Sequence, residues 1–261
     1  MTCSMNTAEF LTSPALSRAG FRHAFFTRNG GASVGPYASL SFSIAVGDHP
    51  DDVRENLVRA ARALDVAPDK LFFLSQVHGR DVHRVDAESS RETVLVTEGD
   101  ALVSSDPSVG VGVRSADCVP VLIGDQKTGS VAAVHAGWRG VELGAVAAAV
   151  RQLSAEPRDL VAAIGPHISL EAFEVSDEVA ARLLACSPDP DVVSLRPGAR
   201  PHVDLRRLVR AQLVSLGLAP SAVDDVAGCT VLEPGRFFSF RRDGAKSGRH
   251  LSAIVPRGLH A

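Results

Sequence analysis

The decapeptide Val131-Ala132-Ala133-Val134-His135-Ala136-Gly137-Trp138-Arg139-Gly140 carries the clearest fold signal of the chain. Its apolar start predicts a strand over 131–134, with His135 placed directly after the strand end. Gly137 marks the following turn, and a nearly all-apolar helix is predicted from about residue 141 to residue 153. Because a helix that is apolar on most sides is usually buried, the stretch predicts a strand and a helix within one core.

The rest of the chain predicts strands and helices separated by turns. Apolar, β-branched runs predict strands over 21–27, 71–77, 100–103, 109–114, 119–123, 160–164 and 251–255. Helices are predicted after Gly47-Asp48-His49-Pro50 and near 176–186 and 204–217. Since both kinds of element intermingle along the whole length, the expected fold class is α/β (α+β), in a single domain over 21–261. Residues 1–20 carry little pattern and are expected to form a loose N-terminal lead-in.

Composition narrows the class of protein. The chain has 261 residues, of which 45% are apolar, and this is enough for a substantial core. A net charge of −3 argues against nucleic acid or an anionic membrane as the partner, so an anionic substrate needs a local basic patch. Four scattered cysteines do not resemble a disulfide framework, and no signal peptide or membrane span is expected. The sequence therefore predicts a soluble, cytoplasmic protein and leaves its oligomeric state open.

Three short islands place potential metal ligands at predicted strand ends. They are Ser75-Gln76-Val77-His78-Gly79, Ala116-Asp117-Cys118 and the His135 motif quoted above. Two imidazoles and one thiol suit a catalytic zinc ion with an open fourth position, where a water or an oxyanion can bind. Asp100 and Asp117 are candidates for orienting a ligand or handling protons, and turn capping is the simpler explanation for either. Taken singly, His78 also fits a hydrogen-bonded surface residue, and Cys118 fits a small buried apolar one.

A second set of residues suits an anion and a base. Amides exposed at the turn that Gly137 opens can bind an anion, and Arg139 adds a forked donor for phosphate or carboxylate. Arg241 follows an aromatic run and either lines the pocket or is a solvated charge. Trp138 fits a stacking surface and a core residue equally well. Together with Gln76, the residues Gly137, Arg139 and Arg241 form the predicted substrate- and phosphate-binding set.

Several segments, in a fixed order, resemble a known family over roughly residues 21–256. They are Gly47-Asp48-His49-Pro50, Ser75-Gln76-Val77-His78-Gly79, Gly99-Asp100-Ala101-Leu102-Val103, Ala116-Asp117-Cys118-Val119-Pro120-Val121, Ala133-Val134-His135-Ala136-Gly137-Trp138-Arg139-Gly140, Ile164-Gly165-Pro166 and Phe237-Phe238-Ser239-Phe240-Arg241-Arg242-Asp243. The family is the laccase-domain, YfiH-like family of purine nucleoside phosphorylases, whose members also carry the names polyphenol oxidase and peptidoglycan editing factor.

The resemblance implies a fold, a metal and an activity. The implied fold is a single α/β/α-type sandwich with mixed β-sheets, similar to the Cys–His deamidase toxin domain. The implied zinc ion is bound by His78, Cys118 and His135. The implied reactions are phosphorolysis of adenosine, inosine and methylthioadenosine and deamination of adenosine, so the expected partners are a purine nucleoside and phosphate. Many relatives carry cysteine after Ile-Gly-Pro, where this chain has His167, which puts an auxiliary role of that position in doubt.

A true multicopper laccase is disfavoured by the residues themselves. None of the nine histidines are spaced two apart, as the trinuclear copper site of such an oxidase usually requires. The two methionines, Met1 and Met5, offer no credible axial ligand for a blue-copper site. Zinc is therefore the expected metal, although sites built from histidine and cysteine also accept copper.

Two other functions stay open on the sequence alone. Cys118, activated as a thiolate by His135, would make the protein an amidase or deamidase, for example of a peptidoglycan precursor. Alternatively, the islands only shape the pocket of a non-catalytic nucleoside-binding module. For the phosphorylase, the sequence does not choose between Asp100 and Asp117 as the acid that protonates the departing base.

Overall fold

Two mixed β-sheets form the centre of the fold in the computed structural model, which describes residues 7–195 and 197–258. The strands are β1 (Phe10–Leu11), β2 (Arg22–Phe26), β3 (Leu71–Phe72), β4 (Val82–Arg84), β5 (Ala101–Ser104), β6 (Gly110–Ser115), β7 (Val119–Asp125), β8 (Val131–Ala136), β9 (Leu160–Ile164), β10 (Val193–Ser194), β11 (His202–Val203), β12 (Val223–Asp225) and β13 (His250–Val255). The α-helices are α1 (Pro14–Arg18), α2 (Pro50–Ala63), α3 (Arg91–Val96), α4 (Trp138–Leu143), α5 (Ala145–Leu153), α6 (Asp177–Ala185), α7 (Leu205–Ser215) and α8 (Phe240–Asp243).

The six-stranded sheet brings two of the predicted metal ligands together. Its order is β12-β9-β7-β8-β5-β4, antiparallel from β9 to β5 and parallel at both edges. The register of β7 and β8 places Val119 opposite Ala136 and Pro120 opposite His135. Cys118, directly before β7, therefore lies at the same end of the sheet as His135.

The five-stranded sheet has the order β1-β2-β13-β6-β3, and its parallel pair is β3 with β6. Strands β10 and β11 form a separate antiparallel pair. A loop connects these two strands, and residue 196 within it falls outside the described residues.

Alternating side chains bury both faces of each sheet. In β7, Val121 and Ile123 pack with residues of α5 and α7, whereas Leu122 packs with residues of the other sheet. In β13, Ala253 packs with α2, whereas Ile254 lies between the sheets. The layers are therefore helix, sheet, sheet, helix. This differs from the predicted α/β/α-type sandwich, because a strand that is apolar on both sides does not reveal whether a helix or a second sheet covers each face. The prediction of mixed sheets is confirmed.

Three local predictions need correction. The strand predicted over 71–77 is confined to β3, and Ser75 makes only an isolated bridge to Glu98. The strand predicted over 131–134 continues to Ala136, so His135 lies within β8 instead of after it. The helix predicted from 141 to 153 is divided into α4 and α5, because Gly144 adopts the left-handed conformation with φ of 80°.

The N-terminal segment is more ordered than the predicted lead-in over the residues that the structure describes. Phe10 of β1 pairs with Phe26 of β2 in the five-stranded sheet. Ser13 caps α1 by accepting the Leu16 N–H, and its hydroxyl donates to Asp224 of β12 at 2.6 Å. The segment is thus tied to both sheets. The division into a lead-in and one domain over 21–261 stays a prediction.

The strand predicted over 160–164 is confirmed with the same ends as β9. The other predicted elements are confirmed with shifted ends, namely β2, β5, β6, β7 and β13 together with α2, α6 and α7. The unpredicted strands and helices are too short to show a periodic pattern. Cys118, Cys186 and Cys229 are free thiols, and Cys3 lies outside the described residues. Within the described ranges, the chain has no helix with the length and apolar character that crossing a bilayer requires.

Candidate functional site

Three predicted metal ligands from distant parts of the chain meet at one end of the six-stranded sheet. His135 belongs to β8, Cys118 precedes β7, and His78 lies in the loop between β3 and β4. Their ligand atoms all lie within 4.8 Å of one another, and Sγ of Cys118 is 3.8 Å from Nε2 of His78. In residues 7–195 and 197–258, this is the one group of three or more such side chains close enough to hold a metal ion.

Asp100 organises two of these three ligands. Its carboxylate is fully buried, and Oδ1 accepts Nδ1–H of His135 at 2.7 Å and the His78 N–H at 3.0 Å. Oδ2 accepts the N–H groups of Val77 and Gly79 at 3.2 and 2.6 Å. Burial raises the pKa of Asp100, but its hydrogen bonds and the charge of His135 outweigh burial and lower the pKa overall. Because Nδ1 of His135 is directed at the carboxylate, Nε2 is left to bind a metal, as is usual for histidine ligands.

The backbone around Cys118 is fixed by its neighbour. Asp117 adopts φ of 97°, a left-handed conformation that is uncommon outside glycine. Its carboxylate holds this conformation by accepting the Thr230 hydroxyl and the Arg241 N–H, each at 2.6 Å. His78 is left-handed too, with φ of 60°. Both conformations are therefore supported by hydrogen bonds to buried carboxylates.

The residues present fit a catalytic zinc ion. Two imidazoles and one thiol are three ligands of the kind that such an ion takes from protein, with a further position for water or substrate. Gly137 makes their approach possible, since a Cβ there would lie 2.7 Å from Cδ2 of His78 and 3.1 Å from Sγ of Cys118. His78 is exposed and Cys118 half-buried, so the cluster is accessible from one side, whereas His135 is buried.

Cys118 and His135 shift each other's protonation. Burial raises the pKa of the Cys118 thiol, but the adjacent His135 outweighs burial and lowers the pKa to about 6. Burial lowers the pKa of His135, but Cys118 and the hydrogen-bonded Asp100 raise it to about 9. This favours a thiolate beside a protonated imidazole at neutral pH. The thiolate is the form of cysteine that binds metals and attacks electrophiles.

The three ligands open into a cavity of about 530 Å³, within the usual size range for small-molecule sites. The sequence-selected residues on its wall are Gln76, His78, Asp117, Cys118, His135, Trp138 and Arg241. Asp100 and Gly137 contact the ligands from behind the wall. Arg139 is not on the wall; it is exposed, and its guanidinium stacks 4.4 Å from the centre of the Trp138 ring.

Two arginines on the wall, Arg114 and Arg249, are absent from the sequence prediction. A signal existed for Arg114, since it is a charged residue at the end of an otherwise apolar strand. Arg249 stands in no such pattern. The remaining wall is largely apolar and is formed by Ala45, Val46, Ala116, Ile168, Phe173, Leu205 and Phe240, with Ser43, Ser75 and Ser115 between them.

His167 lies away from the cavity wall. It is buried, its Nδ1–H donates to the Gly165 carbonyl at 2.8 Å, and burial lowers its pKa to about 4. It forms an isolated bridge with Cys229, whose Sγ accepts the Ser169 N–H at 3.4 Å. His167 therefore packs and hydrogen-bonds inside the fold and does not face the cavity.

The sequence matches the family model described as multi-copper polyphenol oxidoreductase laccase over residues 22–257. The protein named purine nucleoside phosphorylase of Bacteroides thetaiotaomicron is 34% identical over 250 residues, which cover 92% of this chain and 93% of that protein. A Deinococcus radiodurans protein of the same name is 38% identical over 239 residues, 90% of this chain and 89% of that one. Purine nucleoside phosphorylase YfiH of Escherichia coli is 36% identical over 231 residues, 87% and 90% of the two chains.

Two crystal structures share the fold over nearly the whole chain. YlmD from Geobacillus stearothermophilus has a TM-score of 0.87 at 30% identity, covering 96% of this chain and 100% of that one. The Bacillus licheniformis hypothetical protein YfiH has a TM-score of 0.87 at 27% identity, covering 97% and 98%. The likeness therefore includes both sheets and the elements that position the site.

Proposed function

We propose that this chain, which belongs to the laccase-domain, YfiH-like family of purine nucleoside phosphorylases, is a metal-dependent phosphorylase of adenosine, inosine and methylthioadenosine that also deaminates adenosine. The observation that carries the proposal is the cluster of His78, Cys118 and His135 facing a cavity with basic and aromatic walls. Relatives that match most of the chain carry the name purine nucleoside phosphorylase.

Zinc is the metal that the ligand set fits best, with copper as the alternative. A zinc ion held by His78, Cys118 and His135 would act as a Lewis acid, which polarises the substrate or lowers the pKa of a bound water. The buried carboxylate of Asp100 orients His135 and fixes the loop of His78. We therefore give Asp100 a positioning role and not a role as proton donor, since it is behind the cavity wall and its pKa is lowered.

The cavity has the chemistry that a nucleoside needs. Trp138, Phe173 and Phe240 offer aromatic surface to the purine, and Ile168 adds aliphatic surface. Apolar walls with a few convergent polar groups are typical of small-molecule sites. Arg241 is the one member of the predicted phosphate-binding set that brings a positive charge to the wall.

Phosphorolysis requires one bond to form and one to break. A phosphate oxygen attacks C1′ of the ribose, the bond from C1′ to the purine nitrogen breaks, and the purine leaves with the electron pair and takes up a proton. Asp117 is on the cavity wall and keeps the candidate role as donor of that proton. In deamination, water adds at C6 of adenine and ammonia leaves, as in other zinc deaminases.

The test is to incubate zinc-loaded protein with adenosine or inosine, with and without phosphate, and to separate the products by chromatography. We expect free purine to form only when phosphate is present, and inosine to form from adenosine without phosphate. Cys118→Ala and His78→Ala should lose both reactions and stoichiometric zinc. The matched control is Cys186→Ala, because Cys186 is a half-buried free thiol outside the cavity wall. Absence of adenine, hypoxanthine and inosine as products, with Cys118→Ala behaving like the parent, would contradict the proposal.

An amidase or deamidase reaction is the second candidate, and the Cys118–His135–Asp100 chain of contacts favours it. A thiolate with a lowered pKa beside a protonated histidine that a carboxylate orients is the arrangement of a cysteine nucleophile. A peptidoglycan precursor would be a possible amide substrate. Covalent labelling of Cys118 by an electrophilic amide analogue would support this candidate, and stoichiometric zinc in protein purified without added metal would disfavour it.

Two further readings are separated by the same assays. A non-catalytic binding module would bind a nucleoside tightly in metal-loaded protein and never convert it. A true multicopper oxidase would need several metal clusters, and the described residues contain the single one above. Oxidation of a phenol by copper-loaded protein at a rate that exceeds phosphorolysis would overturn our preference.

A further inference from the structure

Arg114 is a half-buried cation that has no carboxylate partner among the described residues. It lies at the end of β6, on the cavity wall, with its guanidinium 4.6 Å from the centre of the Phe73 ring. One terminal nitrogen donates to the Leu74 carbonyl at 3.0 Å, while the buried Nε meets no acceptor. Burial and the neighbouring charges of Arg249 and Arg91 lower the pKa of Arg114 to about 10, so it remains cationic at neutral pH.

Arg249 brings a second positive charge to the same wall. Its terminal nitrogen donates to the Ser247 and Gly248 carbonyls at 2.7 and 3.0 Å. Arg249 shares the cavity wall with His78, Cys118 and His135. Among the described residues, no ion pair joins Arg114 or Arg249 to a carboxylate.

Two guanidinium groups that are partly desolvated and repel each other are unfavourable unless an anion neutralises them. In the part of the chain that the structure describes, no carboxylate forms an ion pair with either arginine, and the cavity beside them is open to a small molecule. We propose that Arg114 and Arg249 form the subsite that binds inorganic phosphate, the nucleophile of the proposed phosphorolysis. The planar forks of arginine match the oxygens of phosphate, and each contact is a charge-assisted hydrogen bond. The assignment rests on the proposed function for its choice of phosphate among small oxyanions.

The structure also explains why the sequence prediction chose a different arginine. Arg139 follows a glycine turn, but its guanidinium is stacked on Trp138 and exposed outside the wall. Gln76 reaches the wall but uses its amide to hold Arg114: Oε1 accepts the Arg114 N–H at 2.7 Å, and Nε2 donates to the Arg114 carbonyl at 2.6 Å. Gln76 is thus a positioning residue for Arg114 and not a substrate ligand.

The experiment compares zinc-loaded wild type with Arg114→Gln, Arg249→Gln, Arg114→Lys, Arg139→Gln and the control Arg54→Gln, which removes an exposed arginine of α2. Binding of inorganic phosphate is measured by titration calorimetry, and KM is measured separately for phosphate and for inosine. Loss of one charged hydrogen-bond donor should raise the Kd and KM for phosphate about 10- to 100-fold. The KM for inosine should change less than about threefold, and Arg114→Lys should recover part of the phosphate affinity because it keeps the charge.

The outcomes separate the subsite from the proposed function. Wild-type protein that binds phosphate through these arginines but releases no purine would overturn the phosphorylase and leave the subsite in place. Phosphate-dependent purine release with an unchanged KM for phosphate in both glutamine variants would overturn the subsite. A rise in the phosphate KM confined to Arg139→Gln would also overturn it, in favour of the α4 turn. Thermal unfolding of each variant identifies loss of folding, and Arg249→Gln then decides if Arg114→Gln does not fold.

Discussion

Replacing Asp100 by asparagine removes the charge that aligns the metal ligands and keeps the shape of the side chain. In the wild type, Oδ1 accepts Nδ1–H of His135 and the His78 N–H, while Oδ2 accepts two more backbone N–H groups. An asparagine offers one oxygen, so its NH₂ group must face one of these two donor pairs. If the NH₂ group faces His135, the imidazole has to change its tautomer, and Nε2 then carries the proton and no longer binds a metal.

The expected magnitudes follow from this count. Two of four hydrogen bonds to a buried charged acceptor are lost, and at about 1.5–3 kcal/mol each the unfolding free energy should fall by about 3–6 kcal/mol. Loss of the carboxylate that orients a histidine ligand typically weakens metal binding about 10- to 100-fold. Asp100→Asn should therefore show both effects, whereas a purely structural aspartate would show only the first.

The assay is competition for zinc against a chromophoric chelator, combined with urea unfolding of metal-free protein. The matched control is Asp48→Asn, another buried aspartate, whose carboxylate accepts the Ser33 hydroxyl at 2.8 Å and bonds to none of the three ligands. The control should lose stability and keep its zinc affinity. An Asp100→Asn protein with a zinc Kd within twofold of the wild type would refute the positioning role.

Two further changes test the packing around the cluster and the acid stability of the fold. Gly137→Ala should lose stoichiometric zinc and phosphorolysis, because its methyl group would lie 2.7 Å from the His78 ring. The control Gly235→Ala, where a Cβ meets nothing within 4 Å, should keep both. Equal zinc contents of the two variants, measured by mass spectrometry, would contradict this reasoning. Lowering the pH from about 7 to about 5 should cost about 2 kcal/mol through His250 alone, because burial lowers its pKa from 6.5 to about 3 and only the unfolded chain takes up the proton. The contribution of neutral His250 to stability is present above the ordinary pKa and is lost as the pH falls towards 3. Urea unfolding at both pH values should show that His250→Gln loses less unfolding free energy than the wild type. An equal loss in the two proteins would remove His250 as the cause.

The sequence was informative where the signal is local. His135 lies in β8 and Cys118 directly before β7. Both strands have clear apolar runs, and their antiparallel pairing brings the two residues together. The sheet-on-sheet layering could not be predicted, because Leu122 and its neighbours are equally apolar whichever layer covers them. Arg139 illustrates the opposite failure. Its motif fits anion binding, but its guanidinium stacks on the ring of its sequence neighbour Trp138 and does not line the cavity.

The position of His78 depends on contacts that a linear sequence does not display. Asp100 fixes the backbone from Val77 to Gly79, and Gln76, in the same loop, fixes Arg114 across from it. One short loop therefore sets both the distance of His78 from the other ligands and the place of the unpaired arginine. Hydrogen bonds to Asp100 and Arg114 hold this loop, so the fold itself contributes to the placement of His78 among the three ligands, as expected for a pre-organised site. The same loop couples the metal ligands to the proposed phosphate subsite, so a change at Gln76 should disturb phosphate binding through Arg114 while Asp100 still holds His78.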